Sequence, residues 1–210
     1  MRFVLAVATW ALVSTFPQGK LFRQERPDSD LVALRAEGKF QAPAWAVREV
    51  LLHAFENDRI SPYLAHRKVL HAEGCREGAK DLPGCRKVWV YERYEPPLMS
   101  PRDYAFRMEV AVDDVDDGGD FELRWTLDEK HGVPPEGAIH MKRNTGSWEI
   151  SPAGASESRF TYRIDADPGG SVAGWIVNMA NKSQVPSVIA AVEEDAKKLA
   201  LTRTRSEGRP

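Results

Sequence analysis

The chain has 210 residues, with 29 Lys and Arg against 31 Asp and Glu, a formal charge of −2, and 42% hydrophobic residues. That length suits one domain with its own hydrophobic core, or at most two small ones. The balanced charge argues against a nucleic-acid surface and the apolar share against wholesale disorder. No apolar run reaches the roughly 20 residues of a transmembrane helix.

In chain order, residues 3–16 read FVLAVATWALVSTF after Met1 and Arg2. They have the charge and length of a signal-peptide apolar core, but PQGK follows where small residues should mark cleavage. The rival reading is a buried strand or the first turn of a helix. Residues 31–40 read as a strand. Pro43 then suits a first helical turn, and Trp45, Val47, Val50, Leu51, Ala54 and Phe55 follow at helical spacing, which predicts an amphipathic helix over 43–56. NDRIS before Pro62 is a break.

The period then drops to two. Strands are expected over 68–73, 88–94, 104–112, 121–127, 138–151 and 158–165, with Pro96 and Pro97 ending the second. The acidic run 113–120 is a turn. It lacks the spacing and terminal Glu of an EF-hand loop, so no metal is assigned to it. Cys75 and Cys85 bracket the polar stretch REGAKDLPG. A disulfide there would stabilise by roughly 3 kcal/mol and would require an oxidising, exported location. Two unrelated thiols in a cytoplasmic protein is the alternative. No Cys/His cluster supports zinc.

Consecutive strands of period two describe an antiparallel meander with one wet face. Its inward face would hold Tyr104, Phe106, Met108, Leu123, Trp125, Phe160 and Tyr162, and that face needs a cover. The cover is expected from residues 171–199, an apolar-striped helix about 40 Å long if continuous, which Pro186 should kink or restart. Residues 201–210 form a polar tail.

The order of strand, helix, curved antiparallel sheet and long C-terminal helix is that of the α+β helix-grip fold. Three segments carry a family likeness: Pro-Pro-Leu-Met-Ser-Pro-Arg-Asp-Tyr at 96–104, Gly-Ser-Trp-Glu-Ile-Ser-Pro at 146–152 and Asp-Pro-Gly-Gly-Ser-Val-Ala-Gly-Trp-Ile-Val-Asn at 167–178. With them the sequence resembles a START domain, the lipid-transfer module related to the steroidogenic acute regulatory protein, and is similar to bacterial START-like proteins. The likeness covers about 10–199. Trp10-Ala-Leu-Val and Gly19-Lys-Leu-Phe-Arg-Gln fit the family's opening strands loosely. This leaves 1–9 as a remnant of an export signal or an N-terminal strand, 10–200 as the domain and 201–210 as the tail.

The motif residues Arg102, Asp103, Trp148, Asp167, Gly169, Gly170 and Asn178 are read as structural. Asp103 would cap the turn before a strand, with Arg102 as its surface partner or as the cradle of a nearby acidic loop. Gly169 and Gly170 would let the chain swing into the helix, with Asp167 bonding that turn. Ala173 stands where the family carries a proline.

The resemblance implies binding and transfer, or sensing, of a lipid or other hydrophobic small molecule in an internal apolar tunnel. It implies no cofactor, no metal and no catalytic residue. The expected partners are that ligand and a transient membrane contact, with no nucleic acid, for a soluble monomer. Candidate lining residues are Trp89, Tyr91, Tyr104, Phe106, Met108, Leu123, Trp125, Phe160, Tyr162, Trp175 and Met179. Aligned on Pro101-Arg102-Asp103, a tunnel arginine of some relatives falls on Met108 and its acidic partner near Trp89. A cavity without a head-group-binding charge pair is therefore expected. The alternative is that Trp89, Met108 and Trp125 simply fill the core.

Residues 128–138 match the position of a gating loop. His131 and His140, in or beside it, are either plain loop histidines or a pH-sensitive element. Other functions on the same fold are a polyketide cyclase/aromatase-like enzyme, with Tyr162, Tyr91 or Arg93 as its acid/base group, and an interaction module with a filled core.

Overall fold

The computed structural model describes residues 9–26, 29–97, 100–132, 137–170 and 184–207. Ten strands form one sheet, in the order β1-β2-β3-β10-β9-β7-β6-β5-β4, with β8 paired off that path to β6. The strands are β1 (Ala11–Phe16), β2 (Gly19–Arg26), β3 (Ser29–Phe40), β4 (Leu64–Cys75), β5 (Cys85–Tyr94), β6 (Arg102–Asp113), β7 (Phe121–Leu127), β8 (Ile139–His140), β9 (Arg143–Pro152) and β10 (Ser158–Asp167). All pairings are antiparallel except the short one of β8 with the start of β6.

The period-two stretches are the strands they promised, and the sheet is longer than expected at its start. Residues 11–16, inside the apolar run read two ways above, form β1 in a hairpin with β2. Trp10 lies under the Arg35 guanidinium, 4.9 Å from ring to Cζ. The single strand expected over 138–151 is two. β8 runs parallel to β6, then the chain is turned by bonds from Met141 N–H to Asp103 C=O (3.0 Å) and Lys142 N–H to Asp167 C=O (2.9 Å) before β9 begins. A disulfide joins Cys75 and Cys85, which stand opposite each other at the end of the β4–β5 ladder.

Among the described residues, two helices lie on the concave face. α1 (Ala44–Leu52) follows Pro43, whose φ of −66° is set for a helix start, and it buries Ala44, Ala46, Val47, Leu51 and Leu52. It is shorter than the predicted 43–56: the chain tightens into a 3-10 turn at Ala54–Glu56. α2 (Val185–Glu207) has 23 residues, about 35 Å of helix. Pro186 is its second residue. The part of the predicted helix at 171–183 lies outside the described residues.

α2 rests on α1 and buries Val185, Ile189, Val192 and Ala196 against the sheet's apolar face. That face includes Leu34, Phe40, Phe106, Met108, Phe121, Ile150 and Phe160. Among the described residues no helix is long and apolar enough to cross a membrane.

Candidate functional site

The sheet curves away from the helices more than its own side chains can fill. A cavity of about 410 Å³ remains between them. Its floor comes from β5, β6, β7, β9 and β10, one wall from Leu31, Val32 and Leu34 of β3, and its roof from Val185 and Val188 of α2. Residues 60–63, Pro96 and Pro168 border it where the chain turns between elements. Tyr63 there holds a φ of 66° and leaves 49% of its surface exposed.

Strand register decides what points inward. On β6, Arg102, Tyr104, Phe106 and Met108 share the concave side. On β5 the matching set is Val88, Val90, Glu92 and Tyr94, with Glu92 opposite Tyr104 and Tyr94 opposite Arg102. Across β7, β9 and β10, Leu123, Trp148 and Tyr162 form a transverse row, and the Trp148 and Tyr162 rings are 4.4 Å apart. Trp125 lies beside Gly146. A Cβ on that glycine would come within 2.3 Å of the indole, so the residue must be glycine for the ring to lie where it does. The indole N–H donates to Asn144 Oδ1 at 3.1 Å.

Of the lining candidates, the structure brings Tyr104, Phe106, Met108, Leu123, Trp125 and Tyr162 to the cavity. Three others do not line it. Phe160 is core, stacked on Phe40 at 4.3 Å. Trp89 and Tyr91 face the convex side, because β5 presents its other parity inward. Trp89 meets His71 and His131 there, and the Tyr91 hydroxyl donates to Asp103 Oδ2 at 3.4 Å. Trp175, Met179 and Asn178 lie outside the described residues.

Among the motif residues, Asp167 accepts from Gly169 N–H at 2.9 Å, and Gly169 and Gly170 both hold φ of 67°, a conformation that favours glycine. Asp103 is buried under the chain after β7 and bonds Tyr91 and His140. Arg102 and Trp148, read as structural, are cavity residues. Arg102 is no surface partner, since only 7% of it is exposed.

The expectation is a more apolar cavity without a head-group-binding charge pair; the lining does include one carboxyl on β5, that of Glu92. It is 1% exposed and lines the cavity. Its Oε2 accepts from the hydroxyls of Tyr104 (3.0 Å) and Tyr94 (3.2 Å), and Arg67 Nε stands 3.4 Å from Oε1. Burial pushes the Glu92 pKa up to about 7, against the pull of Arg67 and the two tyrosines. Burial likewise raises Tyr104, Tyr94 and Tyr162. Sequence reasoning placed the acidic position near Trp89, three residues away and on the opposite face. Each parity of VWVYERY carries apolar or aromatic residues and one charge, Val88, Val90, Glu92 and Tyr94 on one and Trp89, Tyr91 and Arg93 on the other, so the local pattern does not say which faces inward.

The described part of the expected gating loop does not border the cavity. Gly132 sits against Leu70, and His131 stacks on His71 at 4.2 Å on the convex side. His140 is held between Asp103 and Glu129. The acidic turn 113–120 is drawn to Arg48, whose Nη1 lies 3.1 Å from Asp113 and 3.0 Å from Asp116.

No family model matches the chain. The uncharacterized protein PA1579 of Pseudomonas aeruginosa is 27% identical over 93 residues, a match spanning 43% of this chain and 44% of that protein. The solved structures agree over far more of the chain. Human STARD10 superposes with a TM-score of 0.73 at 14% identity, over 93% of this chain and 76% of that one. The STAR-related lipid transfer protein of Xanthomonas axonopodis (fragment 25–204) gives 0.69 at 20% identity, over 90% and 98%. Human StAR-related lipid transfer protein 5 gives 0.68 at 12% identity, over 93% and 90%. With its curved, unclosed antiparallel sheet and C-terminal helix over the concave face, the chain has the START-domain, helix-grip fold.

Proposed function

We propose that the protein binds one lipid or other hydrophobic small molecule in this cavity, as a non-enzymatic carrier or sensor. The observation that carries the reading is the space itself: about 410 Å³ between sheet and α2, walled mainly by aliphatic and aromatic side chains. That is within the range of roughly 300–1,000 Å³ typical of small-molecule sites. Two structures of like fold are named as lipid transfer proteins, which supports the same reading. Transient contact with a membrane fits a hydrophobic cargo.

Native mass spectrometry of the chain purified without detergent, followed by solvent extraction, tests this. One hydrophobic molecule per chain is expected. Met108→Trp should abolish its retention at a cost of roughly 1–3 kcal/mol in stability, because the larger side chain takes up part of the cavity. A chain that retains no ligand and takes up none from added apolar probes would overturn the reading.

One observation favours a second reading, an acid/base enzyme. Glu92 is a cavity carboxyl with its pKa pushed up to about 7, close to the working pH that general acid–base catalysis requires. A mass change in a bound molecule that stops in Glu92→Gln would decide for the enzyme.

A further inference from the structure

Among the described residues two charged side chains line the cavity, Glu92 and Arg102, and they are not equally provided for. Glu92 has two tyrosine hydroxyls on one oxygen and a guanidinium near the other. Arg102 is buried, with only 7% of its surface exposed. Its Nη1 donates to Ser100 C=O at 2.5 Å, and its Nε has no partner. Among the described residues no carboxylate lies within ion-pair distance of it. Two other largely buried guanidinium groups have carboxylates beside them: Arg67 has Asp81 and Glu92, Arg48 has Glu49, Asp113 and Asp116.

A buried charge without a counter-charge costs several kcal/mol unless something supplies one. Arg102 is at the Tyr94 end of the inward row, next to the turn that leads toward α2: a Cβ on Gly170 would be 3.8 Å from its Nη2. Tyr104, Phe106 and Met108 extend from it along β6 into the apolar part of the cavity. The uncompensated charge is thus positive, lies at one end of the space, and is followed by an apolar wall. Burial also holds Glu92 toward its neutral form, which weakens its repulsion of an anion.

We propose that Arg102 anchors the acidic group of an anionic amphiphile, a carboxylate or phosphate carried on an apolar chain or ring, whose apolar part lies along Phe106, Met108 and Leu123. The guanidinium fork suits either acid. This rests on the reading of the cavity as a ligand site.

The test uses the full chain freed of bound lipid and titrated with dodecanoate, dodecyl phosphate and dodecanol, which share a tail. Each anion should bind at least about tenfold tighter than the alcohol, the worth of one charge-assisted hydrogen bond. The preference should fall below about twofold in Arg102→Met, with dodecanol affinity unchanged, and should persist in part in Arg102→Lys, which keeps the charge if the Met variant fails to fold. Inorganic phosphate should not displace dodecanoate. Displacement by phosphate alone would overturn the amphiphile in favour of a free anion. Equal binding of acid and alcohol by the native chain, or an acid preference surviving in Arg102→Met, would overturn the anchor while leaving the cavity reading intact. Failure of all three probes to bind would overturn both.

Discussion

Glu92 shows how much one side chain can tell about the space around it. In the unfolded chain its carboxyl titrates near 4.5, and burial raises it to about 7 in the folded state. Between those two values the folded protein holds a proton that the unfolded chain has released. Stability is therefore fully present below about pH 4.5 and declines as the pH rises toward 7. Glu92→Gln removes that titration. In urea unfolding from pH 4 to pH 8, the native chain should lose on the order of 3 kcal/mol relative to the Gln variant. A difference that does not vary with pH would mean that the carboxyl is not held in an apolar setting. Arg102 is the complementary case, a permanent cation whose cost ligand binding would relieve.

At the scale of the elements, the β4–β5 hairpin ties a one-residue question of parity to a covalent link. The disulfide closes a loop of sequence separation 10, worth about 3 kcal/mol by the chain-entropy account. Reduction should expose two thiols to alkylation and lower the melting temperature by roughly 6–12 °C for a chain of this size. An unchanged melting curve after confirmed reduction would show that the hairpin holds by its ladder alone. The same hairpin shows why part of the cavity was not legible. Trp89 and Tyr91 are the bulkier pair on β5 and read naturally as inward. On the convex side Trp89 is covered instead by His71 and by His131 of the chain after β7, and Tyr91 meets His66 and Asp103, neighbours from other elements that no local pattern reveals. On β6 and β7 only one parity is strongly apolar, so the pattern points Tyr104, Phe106, Met108, Leu123 and Trp125 to the concave face, where they lie.

At the scale of the whole molecule, α2 must be fastened over the sheet for a cavity to exist. Glu193 does much of this. Its carboxylate accepts from the Gln18 side chain at 2.7 Å and from Gln41 N–H at 2.8 Å, and Lys197 stands 3.0 Å away. One residue of the helix thereby clamps the β1–β2 turn and the approach to α1. Burial alone would raise its pKa, but these hydrogen bonds outweigh burial and hold it below the usual carboxylate range. A depressed carboxyl contributes stability above its unfolded value and loses it as the pH falls. Glu193→Ala should cost roughly 2–3 kcal/mol at pH 7, and the gap should narrow below about pH 4. A constant gap across that range would mean that packing, and not the ionised clamp, is what the variant removes.

The sequence by itself determined most of the elements and their order, because period two and period 3.6 are local properties of side-chain spacing, and the three motifs pointed to the helix-grip fold. It also placed two cysteines at the ends of one hairpin. Only the tertiary structure decided which face of β5 looks inward, that the predicted strand at 138–151 divides into β8 and β9, and that Arg102 and Glu92 both stand in an apolar cavity. Each of these depends on what lies across the sheet or beneath a distant loop, and burial by a distant neighbour leaves no mark on the residues it covers.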